Sequence, residues 1–237
     1  MAMSGKDFVK KIQKENQPLF EASMMNVRTW FQDPARTKEE YLLHFQGRMA
    51  NEYMNLVGVA AAVANIGTEV TAEEMALLSK QAHDEAVHFR LVKEVIEHIA
   101  GEPINTKEWL DREFSRKAND KGAATLKTFA TENDEVALAC YQIVAEGRAA
   151  TSWQAMADIG AVDPFVANKY ARIARDERFH SSIGGLLLAK LADNNEEVQE
   201  RATKIIDKMR LDLYNIIVGN TWDSPGARDL AAAAYGW

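Results

Sequence analysis

A pattern of five residues occurs twice in this chain, at 84–88 (Asp-Glu-Ala-Val-His) and at 176–180 (Asp-Glu-Arg-Phe-His). Both copies lie in long segments whose apolar residues have helical spacing. Residues three apart on a helix are neighbours, so the Glu and His of each copy project from one face as a chelating pair. The repeat therefore predicts long helices that carry two metal-binding pairs.

Boundary signals place each copy in the second helix of a hairpin. Thr37 with Glu40, and Thr71 with Glu74, are capping boxes that begin two helices ending near Gly67 and at Ala100. In the second half, a helix begins at Asn133 or Asp134 and ends near Gly160. Asp163 with Pro164 then begins a helix that continues to about Ala192.

A lone carboxylate lies in the first helix of each predicted hairpin. Glu52 and Glu146 precede the glycines that end their helices by 15 and 14 residues, and Glu85 and Glu177 each follow the caps of their helices by 14. At a rise of about 1.5 Å per residue, the two carboxylates of each hairpin lie at the same height. We therefore expect them to face each other, and the two halves to form an internal pseudo-repeat.

The remaining helices are expected to pack around these hairpins. Their predicted ranges are 4–16, 18–31, a short helix at 106–114 and a helical run at 123–131 in a long crossover, 195–218, and a last short helix that begins at 224–225. The end of the chain, 235–237, either packs on the bundle or mediates a subunit contact, as in a homodimer. The fold class predicted is all-α, with one domain at 1–237 and a core bundle at about 37–192.

Composition limits the class of protein. A net charge of -7 and a pI near 5.4 argue against nucleic-acid binding, which needs a basic face. The longest apolar run, 56–66, is shorter than the roughly 20 residues of a membrane span. Cys140 is the single cysteine, and no signal segment is recognised at the start, so we expect a reducing, cytoplasmic location without a membrane partner.

Six side chains form the predicted metal site, four carboxylates and two imidazoles: Glu52, Glu85, His88, Glu146, Glu177 and His180. Four negative charges balance two divalent ions, whereas without metal they would repel one another. Mixed carboxylate and imidazole ligation suits iron or manganese, and the chain has no cysteine cluster for structural zinc or iron-sulfur binding. Asp84 and Asp176 are predicted to accept a hydrogen bond from a ligand imidazole; the alternative is ordinary surface charge.

Small and aromatic residues flank these ligands. Ala149 and Ala150 could leave room for a substrate, and Trp153, Tyr170 and Phe89 could wall it. The alternative is tight helix packing through the alanines.

The six ligands with their adjacent aspartates resemble the ferritin-like di-iron carboxylate superfamily, over roughly 37–192. The similarity is greatest to small oxygen-activating enzymes, such as aldehyde-deformylating oxygenases, the tRNA-hydroxylase type, and amine or hydrocarbon oxygenases. It implies a ferritin-like four-helix bundle with two iron ions, O2 as co-substrate, a small and largely apolar organic substrate, and electrons from a ferredoxin-like partner or reductase.

Other members of the superfamily fit less well or remain open. Storage ferritins generally lack the second Glu-x-x-His, which this chain has at Glu177 and His180. The Asp-Glu-x-Arg-His spelling of bacterial multicomponent monooxygenases is not met, because Arg178 comes one place early. A ferroxidase, a manganese catalase and a non-catalytic subunit of a larger oxygenase stay as alternatives to the oxygenase.

Overall fold

The computed structural model describes residues 2–65, 67, 70–116, 134–219 and 225–233. Within these ranges the regular structure is all helical, which confirms the predicted all-α class. The helices are α1 (Gly5–Gln32), α2 (Lys38–Asn65), α3 (Ala72–Ala100), α4 (Thr106–Phe114), α5 (Glu135–Tyr141), α6 (Gly147–Asp158), α7 (Pro164–Leu191), α8 (Glu196–Gly219) and α9 (Pro225–Ala233). A π-helical turn, Gln142–Glu146, joins α5 to α6.

The chain divides into two compact units, one comprising 35–134 and the other 1–34 with 135–237. In the first unit, α2 and α3 form an antiparallel hairpin, since Lys38 Nζ at the start of α2 donates to Ala100 O at the end of α3 (2.9 Å). Helix α4 packs on α2, where Gln46 donates to the Trp109 carbonyl (3.3 Å). The prediction of a single domain stays a prediction.

In the second unit, α6 and α7 form the other hairpin. Helix α1 packs on both α6 and α7, α8 packs on α5 and α1, and α9 packs on α1 and α8. One cluster of the apolar core joins α1, α5, the π-helical turn, α7 and α8 through residues such as Phe8, Cys140, Ile143, Leu188 and Ile206. A second cluster joins α1 to α8 and α9. Helix α1 therefore contributes to both parts of this core.

Several predicted helix boundaries are confirmed by their capping hydrogen bonds. Thr71 and Glu74 form the reciprocal capping box, and the helix stops at Gly101, whose φ of 83° suits glycine. Thr37 and Glu40 exchange the same pair of bonds. Asp163 caps α7 by accepting from Val166 N, with Pro164 in the first turn.

The predicted division of residues 4–31 into two helices is wrong. Helix α1 continues from Gly5 to Gln32 and contains Pro18. An interior proline costs about 3 kcal/mol because its nitrogen cannot donate and its ring crowds the carbonyl four residues earlier. The apolar stripe of α1 is buried on both sides of Pro18, from Ile12 to Leu19 and Phe20, and this burial offsets that cost.

Some predictions fall outside the described residues: the helical run at 123–131, a helix start at Asn133, Ser224 as the start of the last helix, and the contact of 235–237. None of the helices in the described ranges has the length and apolar character needed to cross a membrane.

Candidate metal-binding triads

The first unit brings together three of the six predicted ligands, which we call the first triad: Glu52 on α2, and Glu85 and His88 on α3. His88 Nδ1 lies 3.6 Å from Glu85 Oε2 and 3.8 Å from Glu52 Oε2. One donor atom from each of the three residues lies within 4.8 Å of the others. Because α2 and α3 run antiparallel, the equal distances of Glu52 and Glu85 from the turn bring the two carboxylates level, as the sequence predicted.

The second unit brings together the other three predicted ligands, the second triad: Glu146 in the π-helical turn, and Glu177 and His180 on α7. His180 Nδ1 and Glu177 Oε2 are 3.3 Å apart, and one donor atom from each of the three residues lies within 4.8 Å of the others. Each unit therefore supplies two carboxylates and one imidazole, with the Glu and His of the repeated pattern one helical turn apart.

Glu146 is the last residue of the π-helical turn, a feature that the sequence analysis did not predict. Such a turn holds one more residue than an α-helical turn and often occurs at functional sites, where it changes the direction of a side chain. Glycine on the facing helix permits the close approach here. A Cβ at Gly184 would lie 2.5 Å from Gln142 Cβ and 2.7 Å from the Ala139 carbonyl oxygen.

Arg48 is a charged neighbour of the first triad that the sequence analysis missed. Its Nη2 donates to Glu52 Oε1 at 2.8 Å, across one turn of α2. The spacing of four residues between Arg48 and Glu52 is the signal that could have revealed it, since such positions are neighbours on a helix. One turn earlier, His44 lies beside Arg48, and burial of the His44 ring, reinforced by the Arg48 charge, lowers the pKa of His44 to about 3.

The donor set of each triad fits a metal ion. All six side chains are at most 1% exposed, so their charges are shielded from water and need compensation. Two ligand atoms that are each about 2.1 Å from a common ion lie at most about 4.2 Å apart. The His88 and His180 distances to their carboxylates, 3.3 to 3.8 Å, fall within that limit. The buried Glu and His side chains could therefore hold a metal ion.

The two aspartates of the repeated pattern have similar surroundings. Asp84 forms an ion pair with Lys80, four residues before it. Asp176 lies 3.8 Å from Arg172 Nε, also four residues before it, and 3.6 Å from Arg175 Nε. These cations balance the charges of the two aspartates. The predicted hydrogen bond from a ligand imidazole to either aspartate stays a prediction.

The five predicted substrate-pocket residues fall into three groups: buried residues of the second unit, a residue of the first unit, and a residue that lines a groove. Trp153 and Tyr170 are buried in the second unit with ring centroids 5.4 Å apart. Ala149, four residues before Trp153, is also buried. Phe89 lies in the first unit, 5.9 Å from the Tyr53 ring. Ala150 lines a groove of about 510 Å³ between α1, α6 and α7. Of the five, Ala150 is the one that lines this groove, and the role of all five in substrate binding stays a prediction.

Comparisons of the chain with protein-family models, with curated proteins and with solved structures found no match.

Proposed function

We propose that this chain is an O2-dependent di-iron oxygenase of the ferritin-like type, acting on a small and largely apolar organic substrate. In this proposal the first and second triads supply the ligands of two iron ions. The observation that carries it is that each of the two compact units buries two carboxylates and one imidazole with donor atoms within 4.8 Å of one another.

The matching of the two triads supports the proposal. Glu52 comes from α2 and Glu146 from the π-helical turn directly before α6, and the second helix of each hairpin adds one Glu and one His from the repeated pattern. Two such sets give four carboxylates and two imidazoles, the ligand set of dinuclear carboxylate proteins built on helix bundles. If the two Glu-x-x-His motifs were chance features of the surface, their side chains would be exposed. Instead these four side chains are buried, and so are Glu52 and Glu146.

The residues of the chain have three tasks in this proposal. The four carboxylates neutralise two divalent ions and fix their positions, and the imidazoles of His88 and His180 complete the ligand set. Two iron ions, when bound, supply the redox chemistry for reduction of O2. The buried surroundings of the triads exclude water, which strengthens electrostatic interactions at the site.

The electrons must come from outside the chain. In a monooxygenation, one oxygen atom of O2 enters the substrate and the other leaves as water, with two electrons and two protons taken up. We propose that a ferredoxin-like protein or a reductase supplies the electrons, as the resemblance implies.

Metal analysis with an O2-uptake assay tests the proposal. The full chain is loaded with Fe²⁺ without oxygen, desalted, and analysed for iron per chain and for O2 uptake with and without a reductant in the presence of candidate aldehydes, amines and fatty acids. We expect two irons per chain. Without added reductant the two Fe²⁺ supply electrons for at most one O2 per chain, and repeated uptake with an oxygenated product should occur only when both a reductant and a substrate are present. Absence of iron binding would refute the proposal, and rapid peroxide disproportionation by a manganese-loaded chain would favour the catalase alternative.

Variants in each triad extend the test. His88→Ala and His180→Ala should each lower the iron content from two to about one or less, while far-ultraviolet circular dichroism shows that the helices remain. Glu94→Ala on the same helix as His88 is the matched control, because the Glu94 side chain is 36% exposed, whereas the triad is buried, and it pairs with Arg90. Full iron content in both histidine variants would show that the ligand assignment is wrong.

A further inference from the structure

Arg48 forms an ion pair with a carboxylate of the first triad. The Arg48 side chain is 12% exposed and the Glu52 side chain 1% exposed, and Arg48 Nη2 donates to Glu52 Oε1 at 2.8 Å. A buried pair of this kind is costly to break, because removing one partner leaves the other charge uncompensated. Arg48 is therefore positioned to hold the Glu52 side chain in one orientation.

The two oxygen atoms of Glu52 face different partners. Oε1 accepts from Arg48, whereas Oε2 lies 3.8 Å from His88 Nδ1, the same nitrogen that Glu85 Oε2 approaches at 3.6 Å. We infer that Arg48 is a positioning residue that presents Glu52 to a metal ion through Oε2 alone. This inference rests on the proposed function, since it takes the first triad to be a metal site.

The charge of Arg48 has a second effect on the same triad. Glu52 and Glu85 carry two negative charges, and Arg48 offsets one of them while the triad holds no ion. A divalent ion bound at the triad would be repelled by the positive charge of Arg48, whose Nη2 lies 2.8 Å from the ligand Glu52. Arg48 stabilises the metal-free fold and at the same time weakens metal binding at the first triad.

Substitution of Arg48 separates these effects. Arg48→Gln removes the charge and releases Oε1, and Arg48→Lys keeps the charge. The matched control is Arg90→Gln, because Arg90 forms an i,i+4 pair with Glu94 on the exposed face of α3, with Nε and Oε1 3.6 Å apart. The full-length proteins are titrated with Co²⁺, followed by calorimetry and by the visible absorption of the bound ion, which reports its coordination.

For Arg48→Gln we expect Co²⁺ to bind about tenfold or more tightly at one of two positions, since a unit charge within a few ångströms changes binding by at least that factor. The visible spectrum of that position should change as Glu52 gains a second ligand oxygen. Arg48→Lys and Arg90→Gln should remain within about threefold of the wild-type dissociation constant. A merely structural role for Arg48 would weaken binding and leave the spectrum of the remaining bound Co²⁺ unchanged.

The outcomes separate this inference from the proposed function. Equal or weaker Co²⁺ binding by Arg48→Gln, with an unchanged spectrum, would overturn the role of Arg48 while the metal site stands. Absence of Co²⁺ binding by the wild-type chain would overturn the proposed function itself. If Arg48→Gln folds poorly without metal, it is purified with Co²⁺ bound and its affinity is measured by competition with a chelator, so the comparison remains decisive.

Discussion

Gly184 and Gln142 lie so close together that a Cβ carbon at position 184 would be 2.5 Å from Gln142 Cβ. The backbone of α7 thus approaches the π-helical turn more closely than any side chain at position 184 would permit. Gln142 begins that turn and Glu146 ends it, while Gly184 follows His180 by one turn of α7. The contact therefore fixes the two segments that carry the second triad.

Gly184→Ala should separate these segments. Because Ala139 O would also be only 2.7 Å from the new Cβ, the backbone must shift, and we expect a loss of about 1–3 kcal/mol in the free energy of unfolding. Metal affinity of the second triad should fall as well. The measurements are urea unfolding and Co²⁺ titration.

Gly185→Ala is the control for that variant. A Cβ at Gly185 would make ordinary contacts, 3.6 Å from Val9 Cγ1 and 3.8 Å from Gln13 Nε2. Alanine favours a helix over glycine by about 1 kcal/mol, so this variant should be slightly more stable than wild type. Similar destabilisation by the two substitutions would contradict the close approach at Gly184.

Glu85→Gln should change stability in opposite directions with and without metal. Glu85 is fully buried in the first triad, beside the Glu52 carboxylate. Removing one of two like charges should stabilise the metal-free chain by about 1–2 kcal/mol, but should largely remove the rise in melting temperature on adding Fe²⁺ or Mn²⁺.

Differential scanning fluorimetry at matched metal concentrations measures both effects. Glu94→Gln, at a partly exposed carboxylate of α3, should leave the metal-induced rise unchanged. A metal-induced rise in Glu85→Gln as large as in wild type would remove Glu85 from the ligand set.

Val162→Gly should stabilise the turn between α6 and α7. Val162 has a φ of 66°, a conformation that costs a branched side chain about 1–2 kcal/mol and glycine almost nothing. After the greater entropy of glycine in the unfolded chain is subtracted, we expect a net gain of roughly 0.5–1 kcal/mol. Asn194→Gly, at a φ of 53°, should gain less because asparagine tolerates this region. Thermal unfolding of the three proteins distinguishes the two sites.

His44 should make the fold sensitive to acid. The pKa of His44 is about 3 in the folded chain against an ordinary value of 6.5, so below pH 6.5 the unfolded chain takes up a proton that the folded chain does not. The stability that neutral His44 contributes to the folded chain is fully present above pH 6.5. It is lost as the pH falls toward 3, at up to about 1.4 kcal/mol per pH unit. The loss should be smaller than this limit because the His44 residue is only partly buried.

The comparison of wild type with His44→Leu tests this contribution, because other groups also titrate in this range. The free energy of unfolding in urea is measured at pH 7.5 and at pH 5. We expect the wild type to lose more stability than the variant between these two pH values. Equal losses would show that the folded chain protonates His44 as readily as the unfolded chain does.

Local signals in the sequence predicted most helix boundaries, because a capping side chain bonds to backbone only two or three residues away. Thr71, Thr37 and Asp163 are examples. The spacing of the ligands within each hairpin also follows from the sequence, since it depends only on helix rise and on the position of the turn. Arg48 could have been found by the same reasoning, because Glu52 follows it by four residues.

Other features depend on contacts between distant parts of the chain. Pro18 is a strong local signal for a helix start, but burial of the α1 stripe on both sides of it determines the outcome. The π-helical turn leaves no local pattern, and the close approach at Gly184 that accompanies it involves residues about forty positions away. Such features are set by tertiary packing, which a single sequence does not display.

The extra residue in the Gln142–Glu146 turn is accommodated without a change in the faces of the helices on either side. Five residues of a π-helical turn cover about the same rotation as four residues of an α-helix, so deleting one residue there would restore an α-helix and leave α5 in nearly the same orientation relative to α6. Val136, Ala139 and Cys140 would stay buried against α1, α7 and α8. The direction of a side chain in this turn can therefore change through a single insertion or deletion while the apolar interior of the second unit stays in place.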